Sequence, residues 1–424
     1  MALTDFYVQQ KRCSSCAACR FVIFDKLKSL RFGGNCPAFE RYKYISYSAR
    51  GRFQLGQTLL DGDCDYTPGY VDVIHSCMSC GSCDINCKIC RYNLDVIDHN
   101  IELKNDVVLK GKLFPKQAEL LDSLKSEKTL VIGAKNANRA KWADGLGLKD
   151  LSKEKAEVAF FPGCKFSFDS NLQQSAKNAA SLLKKLGVDV GYMGAADACC
   201  GSRAYQMGFY DEFGVGADAN IKAFEAAGVK TIVTPCSDCY HGFKRLYAAR
   251  GLKVEVLHVV ECLDKLIAEG KLTFSKKLDM TVTYHDPCHL GRLGEPYVPW
   301  NGKEKKILFQ VHTWDPPKPR YNGIYGIYDA PRNVINAIPG VKLVEMERIR
   351  EYSWCCGAGA NINVTKPEFS EWTASERITE ANATSADALI TACPWCESNF
   401  ANATDENGKS IKVLDIVDLV MQAL

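Results

Sequence analysis

Two copies of one cysteine pattern constrain this chain more than anything else in it. The first copy reads Cys164, then the adjacent pair Cys199-Cys200 followed by Gly201, then Cys236-x2-Cys239. The second reads Cys288, then Cys355-Cys356 with Gly357, then Cys393-x2-Cys396. Each copy opens on a short apolar run that ends in a turn, over 158–164 and 282–288, and each reaches its Cys-x2-Cys through a second run, over 231–236 and 388–393. Such runs are the mark of buried strands. In the first copy Leu172, Ala176, Ala179, Ala180, Leu183 and Leu186 form one helical face with Gly187 as its stop, and Val188, Val190 and Tyr192 then alternate as a strand does. Each copy is therefore predicted to be α/β, with its Cys-x2-Cys where a strand hands over to a helix, the end of such a sheet where ligands collect. The copies share a closing segment, 256–261 and 413–418, which begins seventeen positions after the last cysteine in both. In this register Cys262 stands opposite Leu419, which predicts a core thiol and not a ligand.

The chain has 21 cysteines in 424 residues. A disulfide framework belongs to small secreted chains, and the first residues lack the basic stretch and apolar run of a secretory signal. In a reducing compartment so many thiols hold metal. Zinc takes four-ligand sets, whereas each copy offers five cysteines, and an adjacent pair poorly serves two corners of one cubane. An elongated cluster in which one thiolate bridges two irons suits the count better. Helix N-termini at the strand ends favour the negative charge of such a cluster.

The first hundred residues carry a different spacing. Cys13-x2-Cys16-x2-Cys19 is followed by Cys36-Pro37, and Cys77-x2-Cys80-x2-Cys83-x3-Cys87 comes later. Three thiolates so spaced wrap three corners of a 4Fe–4S cubane, and the fourth cysteine reaches across to the other cluster. That rule assigns Cys13, Cys16, Cys19 and Cys87 to one cubane, and Cys36, Cys77, Cys80 and Cys83 to the second. Lys88 stands where the pattern has proline, and Cys90 is close enough to replace Cys87. Cys64, alone in an acidic turn-like stretch, is read as a bystander. Two clusters in one such module form a wire.

A net charge of +3, dispersed along the chain, argues against a nucleic-acid stripe. No apolar run approaches the length of a bilayer-spanning helix. The expectation is a cytoplasmic protein that inserts into no membrane itself and meets one only through a partner. The sequons at Asn363, Asn382 and Asn402 are chance matches in that setting, and Gly214-x-Gly216 lacks the context of a nucleotide fingerprint. The predicted organisation is a helical dicluster ferredoxin-like module over 1–103, a linker over 104–156 with solvated helical faces, and two α/β cysteine-rich domains over 157–275 and 276–424. In the second, 294–325 is an insertion dense in proline and aromatic residues, predicted to be ordered as a flap, a lid or a docking surface.

Both five-cysteine motifs together resemble the heterodisulfide reductase family, whose catalytic part carries C-x(n)-CCG-x(n)-C-x2-C twice. A ferredoxin module placed ahead of the pair is similar to the fused, D-type subunit. Tyr47-Ser48-Ala49-Arg50-Gly51 and Tyr328-Asp329-Ala330-Pro331-Arg332 resemble the family's spacers. The resemblance implies two noncubane 4Fe–4S clusters, one on Cys164, Cys199, Cys200, Cys236 and Cys239, the other on Cys288, Cys355, Cys356, Cys393 and Cys396, with a disulfide cleaved between them by single-electron steps. It also implies partner subunits, a flavoprotein or a cytochrome b. Similar subunits relay electrons in aromatic acyl-CoA reductase complexes and in quinone-linked systems, and that reading stands as the alternative. No catalytic acid is assigned. Lys165, Arg203, His241, His285 and His289 flank the cysteines and are candidates for hydrogen bonds around the clusters.

Overall fold

A computed structural model describes residues 2–90, 93–308 and 311–424, and the side chains there other than those of residues 90, 195, 306–308, 311 and 312. The N-terminal part is helical. Ser48 caps Ala49–Leu60 by accepting from the Gly51 N–H, and Thr67 caps Pro68–His75 by accepting from Tyr70, with Pro68 at the first helical position. Val96–Leu109 buries Ile97, Ile101, Leu103 and Val107 against these helices.

Two parallel sheets follow. Numbered along the chain, the strands of the first are β1 (Lys149–Asp150), β2 (Val158–Phe160), β3 (Val190–Tyr192), β4 (Thr231–Thr234) and β5 (Glu255–His258), in the order β1-β3-β2-β4-β5. Next come β6 (Met280–Tyr284), a hairpin of β7 (Lys303–Leu308) and β8 (Val311–Asp315), and then β9 (Val341–Leu343), β10 (Ala388–Thr391) and β11 (Lys412–Asp415). The second sheet runs β11-β10-β6-β9, the first sheet's order without β1. Equivalent strands pair in equivalent ways: Val158 opposes Thr231, and Val282 opposes Ala388. The α/β reading of both copies is thus met, strand for strand. Ile232, Val233, Leu389 and Ile390 are buried, as central parallel strands covered on both faces require.

The copies face each other reciprocally. The closing helix of the first, Val259–Ala268, packs on Asp329–Ala337 of the second, and the closing helix of the second, Ile416–Ala423, packs on Gln173–Lys185 of the first. Asp418 accepts from Ser175 at 2.6 Å and from Asn178 at 2.9 Å across this joint. The internal duplication therefore closes like a symmetric dimer made within one chain.

The described residues of the insertion lie on the helical part. Its Glu304 pairs with Arg12 and its Lys318 with Asp95. Trp300 donates to the Pro316 carbonyl at 2.9 Å, which ties the two arms of the insertion together.

One buried histidine gives this fold a pH limit. His99 stacks on Phe53 at 4.2 Å and meets the Gln10 amide at 3.0 Å. Burial holds it well below its ordinary value, at about 3. Below about pH 6.5 the unfolded chain takes up a proton there and the folded chain does not, so stability falls by about 1.4 kcal/mol per pH unit as pH drops from 6.5 toward 3. Since His75, His241, His258 and His285 are also held low by burial and add to the slope, the test is the difference: denaturant titrations between pH 7 and pH 5 should show a slope shallower by up to one proton in His99→Gln than in the parent. An identical slope in the variant would refute the assignment.

Candidate metal centres

Ten thiols form a line, each close enough to its neighbours to shift their ionisation. It starts at Cys164 and passes Cys199, Cys200, Cys239 and Cys236 of the first copy. Cys236 then meets Cys393 of the second copy, and the line continues through Cys396, Cys356 and Cys355 to Cys80 of the helical part. Cys288 lies beside the line, 3.3 Å from the His289 ring and in the field of Cys355. The remaining thiols of the helical part are adjacent: Cys83 feels Cys36, Cys77 and Cys80, while Cys87 feels Cys13 and Cys19. Cys64 sits apart against Thr58, and Cys262 packs at the edge of the core. The Cys90 side chain lies outside the described residues.

Local sequence explains why the thiols converge. In each copy the adjacent pair turns sharply at a glycine with positive φ, +72° at Gly201 and +96° at Gly357. A Cβ on Gly357 would sit 2.4 Å from the Ser370 carbonyl oxygen. The Gly357 and Gly201 amides donate to Cys355 and Cys199, each at 3.4 Å. The second thiol of each pair ionises more readily than the first: hydrogen bonds from Cys199 and Cys239 bring Cys200 down to about 6, and those from Cys355 and Cys396 do the same for Cys356.

Buried cations line the array. Lys104 donates to the Cys77 carbonyl at 2.6 Å, to Ser79 at 2.8 Å and to the Gln206 carbonyl at 3.1 Å, and burial brings it down to about 8. Arg292 reaches the carbonyls of Cys80 and Ser353, both at 2.6 Å, and so joins the helical part to the second copy. At the far end Arg139 lies 3.6 Å from the Cys164 sulfur. Between the copies Arg203 stacks on Trp395 at 3.8 Å, pairs with Asp238 at 3.2 Å and donates to Asn361 at 2.9 Å. Asp238 also holds His289 at 2.8 Å. Burial opposes the charged imidazole, but Cys288 and Asp238 outweigh it and push His289 up to about 10.

Of the other flanking candidates, Lys165 pairs with Asp169 at 2.7 Å, His241 meets the Leu293 carbonyl at 2.6 Å, and His285 meets Arg377 at 3.1 Å. Arg203 and His289 line the cavity between the copies, while His241 and Lys165 bridge the copies outside it, His241 through Leu293 and Lys165 over the Trp395 ring at 5.4 Å. Sequence reasoning missed Asp238, Trp395, Lys104, Arg139 and Arg292. Asp238 and Trp395 had a signal, since both lie inside a Cys-x2-Cys; the three cations had none.

The donor set fits iron–sulfur clusters. All the described cysteines are free thiols, and buried cations stand where net negative clusters need compensation. Among the described residues no three ligating side chains are splayed around one point for a single ion. Besides two small ones, of about 20 Å³ against Cys80 and about 10 Å³ against Cys164 and Cys200, two cavities adjoin the line. The one between the copies, walled by Arg203, Asp238, His289 and Trp395, measures only about 10 Å³. The other, about 390 Å³, opens beside Cys199 between Leu124, Val215 and Ala219.

Comparison with known proteins places these features. The cysteine-rich domain family CCG matches residues 158–244 and 311–401. The D-type subunit of the dihydromethanophenazine:CoB–CoM heterodisulfide reductase of Methanosarcina mazei is 31% identical over 372 residues, which cover 84% of this chain and 79% of that protein. The EtfAB:quinone oxidoreductase of Syntrophomonas wolfei is 28% identical over 83% of this chain, and the probable iron–sulfur-binding oxidoreductase FadF of Bacillus subtilis 29% identical over 85%. This chain spans about half of each of these last two, 47% and 48%.

Proposed function

Because the chain belongs to the heterodisulfide reductase family in its D-type form, and so is an iron–sulfur oxidoreductase subunit, we propose that it takes single electrons from a partner and delivers them to a disulfide. In this reading Cys13, Cys16, Cys19 and Cys87 hold one cubane, and Cys36, Cys77, Cys80 and Cys83 the other. The five-cysteine sets of the two copies hold noncubane clusters. The domain boundaries proposed with it are 1–103, 104–156, 157–275 and 276–424. Bound there, the clusters supply one-electron transfer.

The observation that carries the reading is the continuity of the thiol line from Cys80 through the second copy to the first. The chain's own residues supply the rest. Arg203 and Trp395 hold the two copies in register, while His289, fixed by Asp238, keeps a proton beside Cys288 for a thiolate released between the copies. Lys104 and Arg292 keep the Cys77–Cys80 loop against both copies. No described helix is long and apolar enough to cross a membrane.

The relay reading, in which the chain passes electrons on within a larger complex and binds no substrate, is supported by the likeness to a quinone-linked protein, the EtfAB:quinone oxidoreductase. Anaerobically prepared protein should contain about 16 irons per chain, four for each 4Fe–4S cluster. A value near four rejects both readings. A thiol-induced paramagnetic signal favours disulfide reduction, and full reduction without any response to thiols favours the relay. Mass-spectrometric identification of co-purifying subunits tests the partners: a flavoprotein or cytochrome b fits the first reading, and an acyl-CoA reductase the second.

A further inference from the structure

The first 52 residues carry ten basic side chains against three acids, Asp5, Asp25 and Glu40. Their net charge is +7, and since the whole chain sums to +3 the remainder sums to −4. Several of these cations are committed: Arg52 is buried, Lys26 pairs loosely with Asp25 at 3.9 Å, Arg12 pairs with Glu304, Arg31 with Glu376 and Glu406, and Lys43 with Glu40. Lys28, Arg41 and Arg50 have no carboxylate within ion-pair distance among the described residues, and neither has Arg20. In the same segment Cys16 is the one described cysteine that is exposed.

Large apolar side chains stand out beside these charges. Leu30 is 91% exposed, Phe24 88% and Tyr44 72%. They do not sit on loose tips. An antiparallel bridge between Phe21 and Gly34 closes the loop that carries Phe24 and Leu30. Arg31 anchors its far side to Glu376 at 2.9 Å. Arg50 donates to Ser15, next to Cys16, at 2.5 Å, and Arg20 lies 4.5 Å over Phe39. Apolar side chains exposed on a closed loop in this way mark an interaction surface, and an apolar centre with charged groups around it is the anatomy of a protein interface.

We propose that this face docks an acidic one-electron donor protein, which reduces the chain at the Cys16 loop. The proposal rests on the cluster assignment given above. Charge chooses the occupant: a basic face steers an acidic partner. Cys16, which the cluster assignment gives to the first cubane, lies in the same segment, and a donor must come close to that cluster, which makes the partner a redox protein. In the step the donor loses one electron and the cubane held by the Cys13 set gains it, with no bond made or broken.

The test follows bleaching of the holo-protein by stopped flow, with a small acidic reduced ferredoxin as the probe and dithionite as the control. The second-order rate with the ferredoxin should fall roughly tenfold between about 20 and 300 mM salt. It should fall by a similar factor in the triple variant Lys26→Glu, Lys28→Glu, Arg41→Glu. Phe24→Ser with Leu30→Ser should slow it while leaving the salt slope unchanged. Dithionite should bleach every variant like the parent, which shows that folding and clusters are intact. Rates indifferent to salt and to both variants overturn the proposal. So does binding to phosphatidylglycerol vesicles, lost in the triple variant, without any salt-sensitive reaction with the ferredoxin. A parent chain that dithionite does not bleach would instead condemn the cluster assignment itself.

Discussion

Arg203→Met should destabilise the protein by about 3–5 kcal/mol, the usual result of removing one partner from a buried ion pair. Arg203 leaves the first copy and ends among atoms of the second: it donates to Asn361 at 2.9 Å, to Asn363 at 3.0 Å and to the Ala358 carbonyl. Methionine can fill the space over Trp395 but satisfies none of these acceptors, and it leaves Asp238 with His289 alone. Lysine keeps the charge and loses the planar fork, so Arg203→Lys should recover only part of the loss. Urea titration of the three proteins checks the order. Equal midpoints for the parent and Arg203→Met would mean that the joint between the copies rests on helix packing alone.

The second large effect is expected at Gly359. A Cβ there would lie 2.1 Å from the Met78 carbonyl oxygen, so the loop after Cys355-Cys356-Gly357 touches the Cys77–Cys80 loop backbone to backbone. Neither side can yield by turning a side chain. Gly359→Ala should cost about 1–3 kcal/mol or more as overpacking, and it should also separate Cys80 from Cys355. The expected outcome is a chain with full iron whose helical-part clusters still reduce while those of the two copies reduce much more slowly. Freeze-quench paramagnetic resonance separates the two populations. Parent-like reduction of both would show that the Cys80–Cys355 contact is not the route between them.

Much of this was legible in the cysteine spacing, which marked the duplication, the strands β2, β4, β6 and β10 and the thiols that gather on them. What spacing could not give is the order in which the sets touch. The Cys236–Cys393 and Cys80–Cys355 contacts join residues far apart in sequence, and they follow from how the two sheets and the helical part pack. Lys104 was hidden for a different reason. It lies in a charged helix whose pattern reads as solvated, and only the tertiary placement of Val96–Leu109 buries that position completely. Arg139, in the same predicted linker, is buried against Cys164 by the same logic. The β7–β8 hairpin was missed because its first strand, Lys303-Glu304-Lys305-Lys306, has the charge of an exposed loop and no alternating apolar face.

The line of thiols does not follow the order of the sequence: Cys80 lies beside Cys355 in the last third of the chain, and the first copy comes after the second. On a ribosome, where domains are completed from the N-terminus onward, the helical part and the first copy emerge well before Cys355 does. A nascent chain that long already has both ends of its circuit but not the middle. Under the proposed cluster assignment, the two ends therefore come into electron-transfer contact only when synthesis is nearly finished.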